Sequence, residues 1–244
     1  MITPSEHIDT TDFQSGALLL VDKPQGWTSF DVVNKIRWAL RNRLGVKKFK
    51  VGHSGTLDPM ATGLLLICTG KWTKKLNELQ GLDKSYTGTI TLGGVTPSFD
   101  AETEVRDEKP VEGINKNDIQ GHASKYVGVI DQVPPVYSAI KVDGKPLYKS
   151  ARAGKEVKPD PRQVEVHAFD IVNINPPEVE FEVSCSKGTY IRSLAHDLGQ
   201  DLGCGGYLTE LRRTVVGPYN IEQAFVLEDL IIAISREDKQ SASI

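Results

Sequence analysis

The sequence predicts an α+β domain, and three observations carry that prediction. Residues 85–92, 163–174 and 179–185 alternate apolar and polar side chains, the period of half-buried strands. Val33, Ile36, Leu40 and Leu44 recur at helical spacing, as do Ile191, Leu194, Ala195, Leu198 and Leu202. The strand patterns at 163–174 and 179–185 lie close enough in the chain to pair antiparallel. The 244 residues suffice for one large domain or two small ones, and 39% hydrophobic with 25% charged residues is an ordinary balance for a globular chain.

Taken in order, residues 1–16 are expected to be a flexible polar tail and residues 17–21 are an apolar run long enough for one buried strand. Asp22-Lys23-Pro24-Gln25-Gly26-Trp27 is a turn, and Thr28 or Ser29 suits the N-cap of the helix that follows. Lys23 reads either as a solvated turn residue or as part of a site. Lys35, Arg37, Arg41, Arg43, Lys47, Lys48 and Lys50 follow without an intervening acid. Such a run is a solvated face or a surface for phosphates, and Lys71, Lys74 and Lys75 extend it.

Residues 51–70 organise the rest. They open polar and glycine-broken, then turn into the apolar run 64–68. His53, Ser54, Thr56, Asp58 and Thr62 therefore sit on a tight loop feeding a buried strand. Pro59 restricts Asp58 to an extended or turn conformation. Asp58 either caps that turn or is a reactive group presented by it.

Residues 93–104 form a loop, and the acid-rich stretch 100–118 is expected to face water. A short helix is expected over 115–127. Residues 132–152 enter a strand through Pro134-Pro135 and mix tyrosines with Lys and Arg. Arg192 stands in the first turn of a helix, where the dipole disfavours a cation, so an acidic partner is expected. Residues 208–216 read as a strand, residues 225–234 as an amphipathic helix and residues 235–244 as a polar tail.

The formal net charge of −3 carries no global nucleic-acid signature, so any RNA surface must be local. Cys68, Cys185 and Cys204 are odd in number and lack metal-type spacing, which suits a reducing compartment and no metal. No apolar run approaches the ~20 residues that span a bilayer, so no membrane partner is expected. The expected location is cytoplasmic.

The string Gly52-His53-Ser54-Gly55-Thr56-Leu57-Asp58-Pro59-Met60-Ala61-Thr62-Gly63 closely resembles the signature loop of the TruB family of pseudouridine synthases. Further resemblances stand in the family's order: the strand and Lys-Pro-x-Gly turn at 18–29, Asp83-Lys84-Ser85-Tyr86, the segment 132–152, Lys187-Gly188-Thr189-Tyr190-Ile191-Arg192 and the strand 208–216. Together they cover roughly residues 17–230.

The resemblance implies a pseudouridine synthase fold, a central mainly antiparallel mixed sheet flanked by helices. It implies one catalytic domain over 17–234, with a thumb-like insertion at about 121–160. Asp58 would be the catalytic nucleophile, Tyr86 would stack the target base and Arg192 would pair with Asp58. Lys23 and Pro24 would pack beside the catalytic loop, His53 would position the nucleotide, Tyr190 would wall the pocket and Leu211 would lie beside it. Lys47, Lys48, Lys50, Arg152, Arg212 and Arg213 would contact RNA.

Many family members read Thr-Asp-Thr-x-Asp where this chain has Thr96-Pro97-Ser98-Phe99-Asp100. Bacterial members commonly continue into a PUA domain. This chain stops at Ile244, so a short form is expected in which the catalytic domain meets RNA alone. The implied activity is isomerisation of uridine 55 in the T loop of tRNA by a monomer, without cofactor or guide RNA. The alternatives are a tRNA-folding chaperone and a synthase acting on another RNA with a T-loop-like hairpin.

Overall fold

The computed structural model describes residues 2, 8, 11–138, 140–142, 145–147 and 159–236. In chain order the elements are β1 (Leu18–Lys23), α1 (Ser29–Leu44), β2 (Val51–Ser54), β3 (Thr62–Thr69), α2 (Leu76–Gln80), β4 (Lys84–Leu92), α3 (Lys116–Ala123) and β5 (Gly128–Gln132). After these come β6 (Lys141–Val142), β7 (Lys145–Pro146), β8 (Arg162–Asn175), β9 (Glu178–Cys185), α4 (Ile191–Asp201), β10 (Gly206–Val216), β11 (Tyr219–Asn220), β12 (Phe225–Val226) and α5 (Leu227–Ser235). The chain, read from its sequence as one catalytic domain over 17–234, groups into two compact units. Residues 1–82 with 212–244 make the first and residues 83–211 the second.

In the first unit β1 pairs antiparallel with β3 from Leu18↔Cys68 to Lys23↔Gly63, and β2 pairs antiparallel with the other edge of β3. The C-terminal part of the chain returns to the same sheet. There β12 lies parallel to β1, Arg212 and Arg213 lie parallel to Thr62 and Gly63, and β11 folds back on β10. Both β1 and β3 are covered on both faces, which is why they read as unbroken apolar runs rather than alternating ones. Leu19, Val21, Leu65 and Ile67 pack against Val33, Ile36 and Leu40 of α1 and Leu227, Leu230 and Ile234 of α5. Leu18, Leu20, Leu64, Leu66 and Cys68 pack on the opposite side with Leu79 and Val216.

Thr28 caps α1 through a reciprocal pair of bonds with Asp31, and Gly45 ends the helix in the left-handed conformation. The expected helix over 225–234 begins two residues later than its apolar pattern suggests. Phe225 and Val226 bond instead to β1, where an aromatic and a β-branched residue suit a strand edge.

The second unit carries the order β4-β9-β8-β5, antiparallel throughout. Residues 206–211 lie on the free side of β4, with the Thr209 hydroxyl donating to Thr89 O. Two register shifts interrupt the long β8–β9 pairing. The short helix α3 is capped by Asn115, and its Gln120 bonds both Phe169 O and Ile171 N of β8. Among the described residues no helix is long and apolar enough to cross a membrane.

Leu66 lies at the centre of β3 with no exposed surface. Leu66→Ala is expected to cost ~2–5 kcal/mol, read as a shift in the urea midpoint at unchanged slope.

Candidate active site

The loop between β2 and β3 is held by buried donors at its start, middle and end. Ser29, the first residue of α1, accepts a hydrogen bond from Leu57 N (2.8 Å) and donates its own hydroxyl to Leu57 O (3.1 Å). Gly26 N donates to Pro59 O at 2.8 Å, which ties the Lys-Pro turn to the residue after Asp58. Asp58 itself is half-buried, and its carbonyl accepts from Ala61 N at 3.1 Å. Arg213 fixes the two ends at once. Its Nε donates to Leu64 O at 2.7 Å and its Nη2 to Gly55 O at 3.1 Å. Gly63 has φ +101° and packs so closely on Arg213 that an added Cβ would run into the Arg213 backbone.

Lys23 is fully buried. Its Nζ donates to Trp27 O (2.6 Å), Pro24 O (3.0 Å) and Pro59 O (3.4 Å), three acceptors for three protons. Of its two sequence readings, the solvated one falls away: the side chain is buried and the amine holds the loop. His53 lies on β2 with its Nδ1 buried and, among the described residues, unbonded. Burial first, and the charge of Arg213 second, lower the pKa of its imidazole from the usual histidine value against the opposing pull of a hydrogen bond with the Gly55 backbone, and so favour the neutral form.

In the second unit Tyr86 is buried on β4 opposite Val183. Arg192 is buried at the start of α4. Its Nη1 donates to Ser98 O at 2.9 Å and its Nη2 to Tyr137 O at 2.9 Å. Nη1 also stands 3.2 Å from Asp100 Oδ2, a contact of charge rather than an aligned hydrogen bond. Asp100 is therefore an acidic partner that the sequence did not single out. It was expected to face water with the rest of 100–118, yet it has no exposed surface, and its Oδ1 accepts from the Ser98 hydroxyl (2.6 Å) and Glu102 N (3.0 Å). Asp100, where the chain keeps the acid of the family pattern, and the Ser98 carbonyl thus build a seat for the arginine.

Tyr190 precedes α4 and is gripped through its backbone by Gln132, which accepts from Tyr190 N (2.7 Å) and donates to Tyr190 O (3.0 Å). The Arg162 guanidinium lies 4.5 Å over the Tyr190 ring. Leu211 is half-buried at the end of the second unit's part of β10.

The residues expected to contact RNA divide. Lys47, Lys48 and Lys50 are exposed on the loop after α1. Arg152 lies outside the described residues, as do Tyr148 and Gly144 of the expected thumb. Arg213 is corrected outright: at 1% exposure its guanidinium is spent on backbone carbonyls and offers no surface to a phosphate. Arg212 is bonded to Asp22, with Nη2–Oδ2 at 2.6 Å and Nη1–Oδ1 at 3.1 Å, so its charge is already balanced. One sequence signal was available here. Consecutive strand residues face opposite sides, so Arg212 and Arg213 could not both serve one outer surface.

Chemically, the loop presents one carboxylate on a backbone that cannot drift, and the second unit presents a buried phenol and a buried guanidinium. Among the described residues no three His, Cys, Asp or Glu side chains gather as a metal would require.

Burial lowers the Lys23 amine from 10.5 to about 8, against the opposing pull of Asp58. Because the folded value lies below the unfolded one, the unfolded chain binds more protons between pH 8 and 10.5, and stability rises with pH across that window. The unfolding free energy is expected to gain up to ~3 kcal/mol over the same window relative to Lys23→Met. Denaturant titrations of both proteins at paired pH values check this; a pH-independent difference would contradict it.

Comparison with known proteins points to one family. The model described as "TruB family pseudouridylate synthase (N terminal domain)" matches residues 41–191, and the one described as "tRNA pseudouridylate synthase B C-terminal domain" matches residues 192–243. The tRNA pseudouridine synthase B of Flavobacterium johnsoniae is 51% identical over 224 residues, covering 91% of this chain and 95% of that protein. The tRNA pseudouridine synthase B of Chloroherpeton thalassium is 49% identical over 217 residues, covering 88% and 89%.

Among solved structures, a chain of the Cbf5-Nop10-Gar1 complex superposes with a TM-score of 0.70 at 29% identity, covering 95% of this chain and 58% of that one. A chain of an H/ACA RNP bound to a substrate RNA containing 2'-deoxyuridine gives 0.65 at 28% identity, covering 90% and 53%. This chain therefore spans a little over half the length of those two. The fold is that of the pseudouridine synthases, and with half its residues shared with the bacterial relatives over nearly their whole length, the chain belongs to the TruB family.

Proposed function

We propose that this isomerase converts uridine to pseudouridine at position 55 in the T loop of tRNA, with Asp58 as the nucleophile acting on a flipped-out base. The observation that carries the proposal is the fixation of the Asp58 loop by Ser29, Lys23 and Arg213. A carboxylate that must meet one atom of an extruded nucleotide gains most from a backbone already in place. The shared name of the relatives supports tRNA as the substrate class.

The reaction balances without a redox partner. The bond from C1′ to N1 of uracil breaks, the ring turns, and a bond from C1′ to C5 forms. The proton on C5 leaves and N1 takes one up. Extruding the base costs a few kcal/mol, and stacking on Tyr86 would return ~1–3 kcal/mol of it. Asp58 must be ionised to act. The role given to Arg192 is to supply the positive charge that keeps it so, since an adjacent guanidinium lowers a carboxyl pKa by ~1–3 units.

His53, neutral, positions the nucleotide by hydrogen bonding. Tyr190 and Leu211 wall the base, and the Lys23-Pro24 turn supports the loop. Lys47, Lys48 and Lys50 hold phosphates of the T arm, with Arg152 assigned to the same role. The proposal includes recognition by a monomer without a guide RNA.

Asp58→Asn keeps the side-chain shape and removes the nucleophile. It is expected to abolish pseudouridine formation while leaving tRNA affinity within about tenfold, ~1.4 kcal/mol. Mass or chromatographic analysis of tRNA digests after incubation with a deamidation-free sample checks it, and turnover by that sample would remove Asp58 from its role. Replacing Lys47, Lys48 and Lys50 with alanine is expected to weaken binding to a T-arm hairpin and to full tRNA alike. It should also flatten the salt dependence by up to about one phosphate contact per lysine. An unchanged salt slope would place the RNA elsewhere.

A further inference from the structure

The outer face of α1 is not used by any role assigned so far. Phe30 and Trp38 are 60% and 61% exposed, the two large aromatics that the described surface leaves most open to water. They stand eight residues apart with Asn34 between them, on one row of the helix about 12 Å long. Lys35 and Arg41 flank Trp38 at three-residue spacing and are exposed. Arg37 bonds Asn34 and Val51 O and places its guanidinium 6.0 Å over the Phe30 ring. The one acid of the helix, Asp31, is taken up by the capping bonds with Thr28. The exposed lysines 47, 48 and 50 continue the same charge beyond the helix.

We infer that this face is a second RNA contact, in which Phe30 and Trp38 stack unpaired bases of the substrate RNA outside the target loop while Lys35, Arg37 and Arg41 meet its phosphates. The inference rests on the RNA-modifying function proposed above. Two facts favour RNA over a protein. The Arg37 guanidinium lies over the Phe30 ring and exposed Lys35 and Arg41 stand three residues either side of Trp38, and the run from Lys35 to Lys50 contains no acid. Exposed rings with cations beside them match a single strand, whose bases stack on any aromatic face while its backbone pairs with positive charge. Continuity with the loop supports the same occupant: Phe30 is the next residue after Ser29, which bonds Leu57 beside Asp58.

The test uses the full chain with Trp27→Phe and Trp72→Phe, which leaves Trp38 as the single tryptophan. Trp38 fluorescence is expected to be quenched by an oligo-uridine strand and by tRNA transcript but not by inorganic polyphosphate. In the unmodified background, Trp38→Ala is expected to weaken oligo-uridine binding about tenfold at fixed salt, with Trp38→Phe restoring most of it and the unfolding midpoint unchanged.

Equal affinity of Trp38→Ala and wild type for oligo-uridine and tRNA would overturn the inference. So would quenching by polyphosphate equal to that by RNA, which would reduce the face to a charge patch. A Trp38→Ala effect confined to sedimentation would make it a contact with a second copy and overturn it too. Failure of the proposed function reads separately, as absence of pseudouridine in a T-arm hairpin treated with wild-type protein.

Discussion

A single guanidinium sets the geometry on which the candidate site depends. Arg213 lies within the sheet of the first unit and donates to Gly55 O and Leu64 O, the two ends of the loop that carries Asp58. A buried cation without partners would cost several kcal/mol, so the surrounding carbonyls and the guanidinium constrain each other. Lys23 repeats the device from the other side, with three carbonyls around one amine. The loop is rigid because charge has been placed where only one backbone arrangement can satisfy it.

The second unit uses the same logic on its own arginine. Arg192 sits at the positive end of α4, where the helix dipole opposes it. It is kept there by Asp100, by two backbone carbonyls and by a loop whose Ser98 hydroxyl in turn orients the aspartate. Gln132 grips the backbone of Tyr190 two residues earlier. Polar side chains far apart in sequence thus converge on one helix start, and each is nearly or wholly buried with its partners.

Much of this was legible in the sequence. The apolar runs of β1 and β3, the alternation of β4, β8 and β9, and the stripes of α1 and α4 follow from periodicity alone, because burial of apolar surface is what their residues can do best. The Asp58 loop was legible from its glycines and Pro59. Arg213 was misread because a cation in a sequence looks like surface, and only the path of β10 beside Gly63 shows it to be interior. Asp100 was hidden among neighbouring acids that do face water. Lys23 was ambiguous, since its burial depends on Pro59 folding back from 36 residues away. Periodicity reports which faces are apolar; it does not report which polar groups have found partners.

The double anchorage by Arg213 also bears on how this stretch of chain can change over time. Surface loops ordinarily lengthen and shorten at small cost. Between Gly55 and Leu64 that freedom is gone, because an inserted or deleted residue would draw one carbonyl away from a guanidinium that has no solvent to turn to. Gly63 forbids the compensating slip, since the next position in register would bring a Cβ against the Arg213 backbone. The loop's length is therefore as fixed as the register of the strands that frame it.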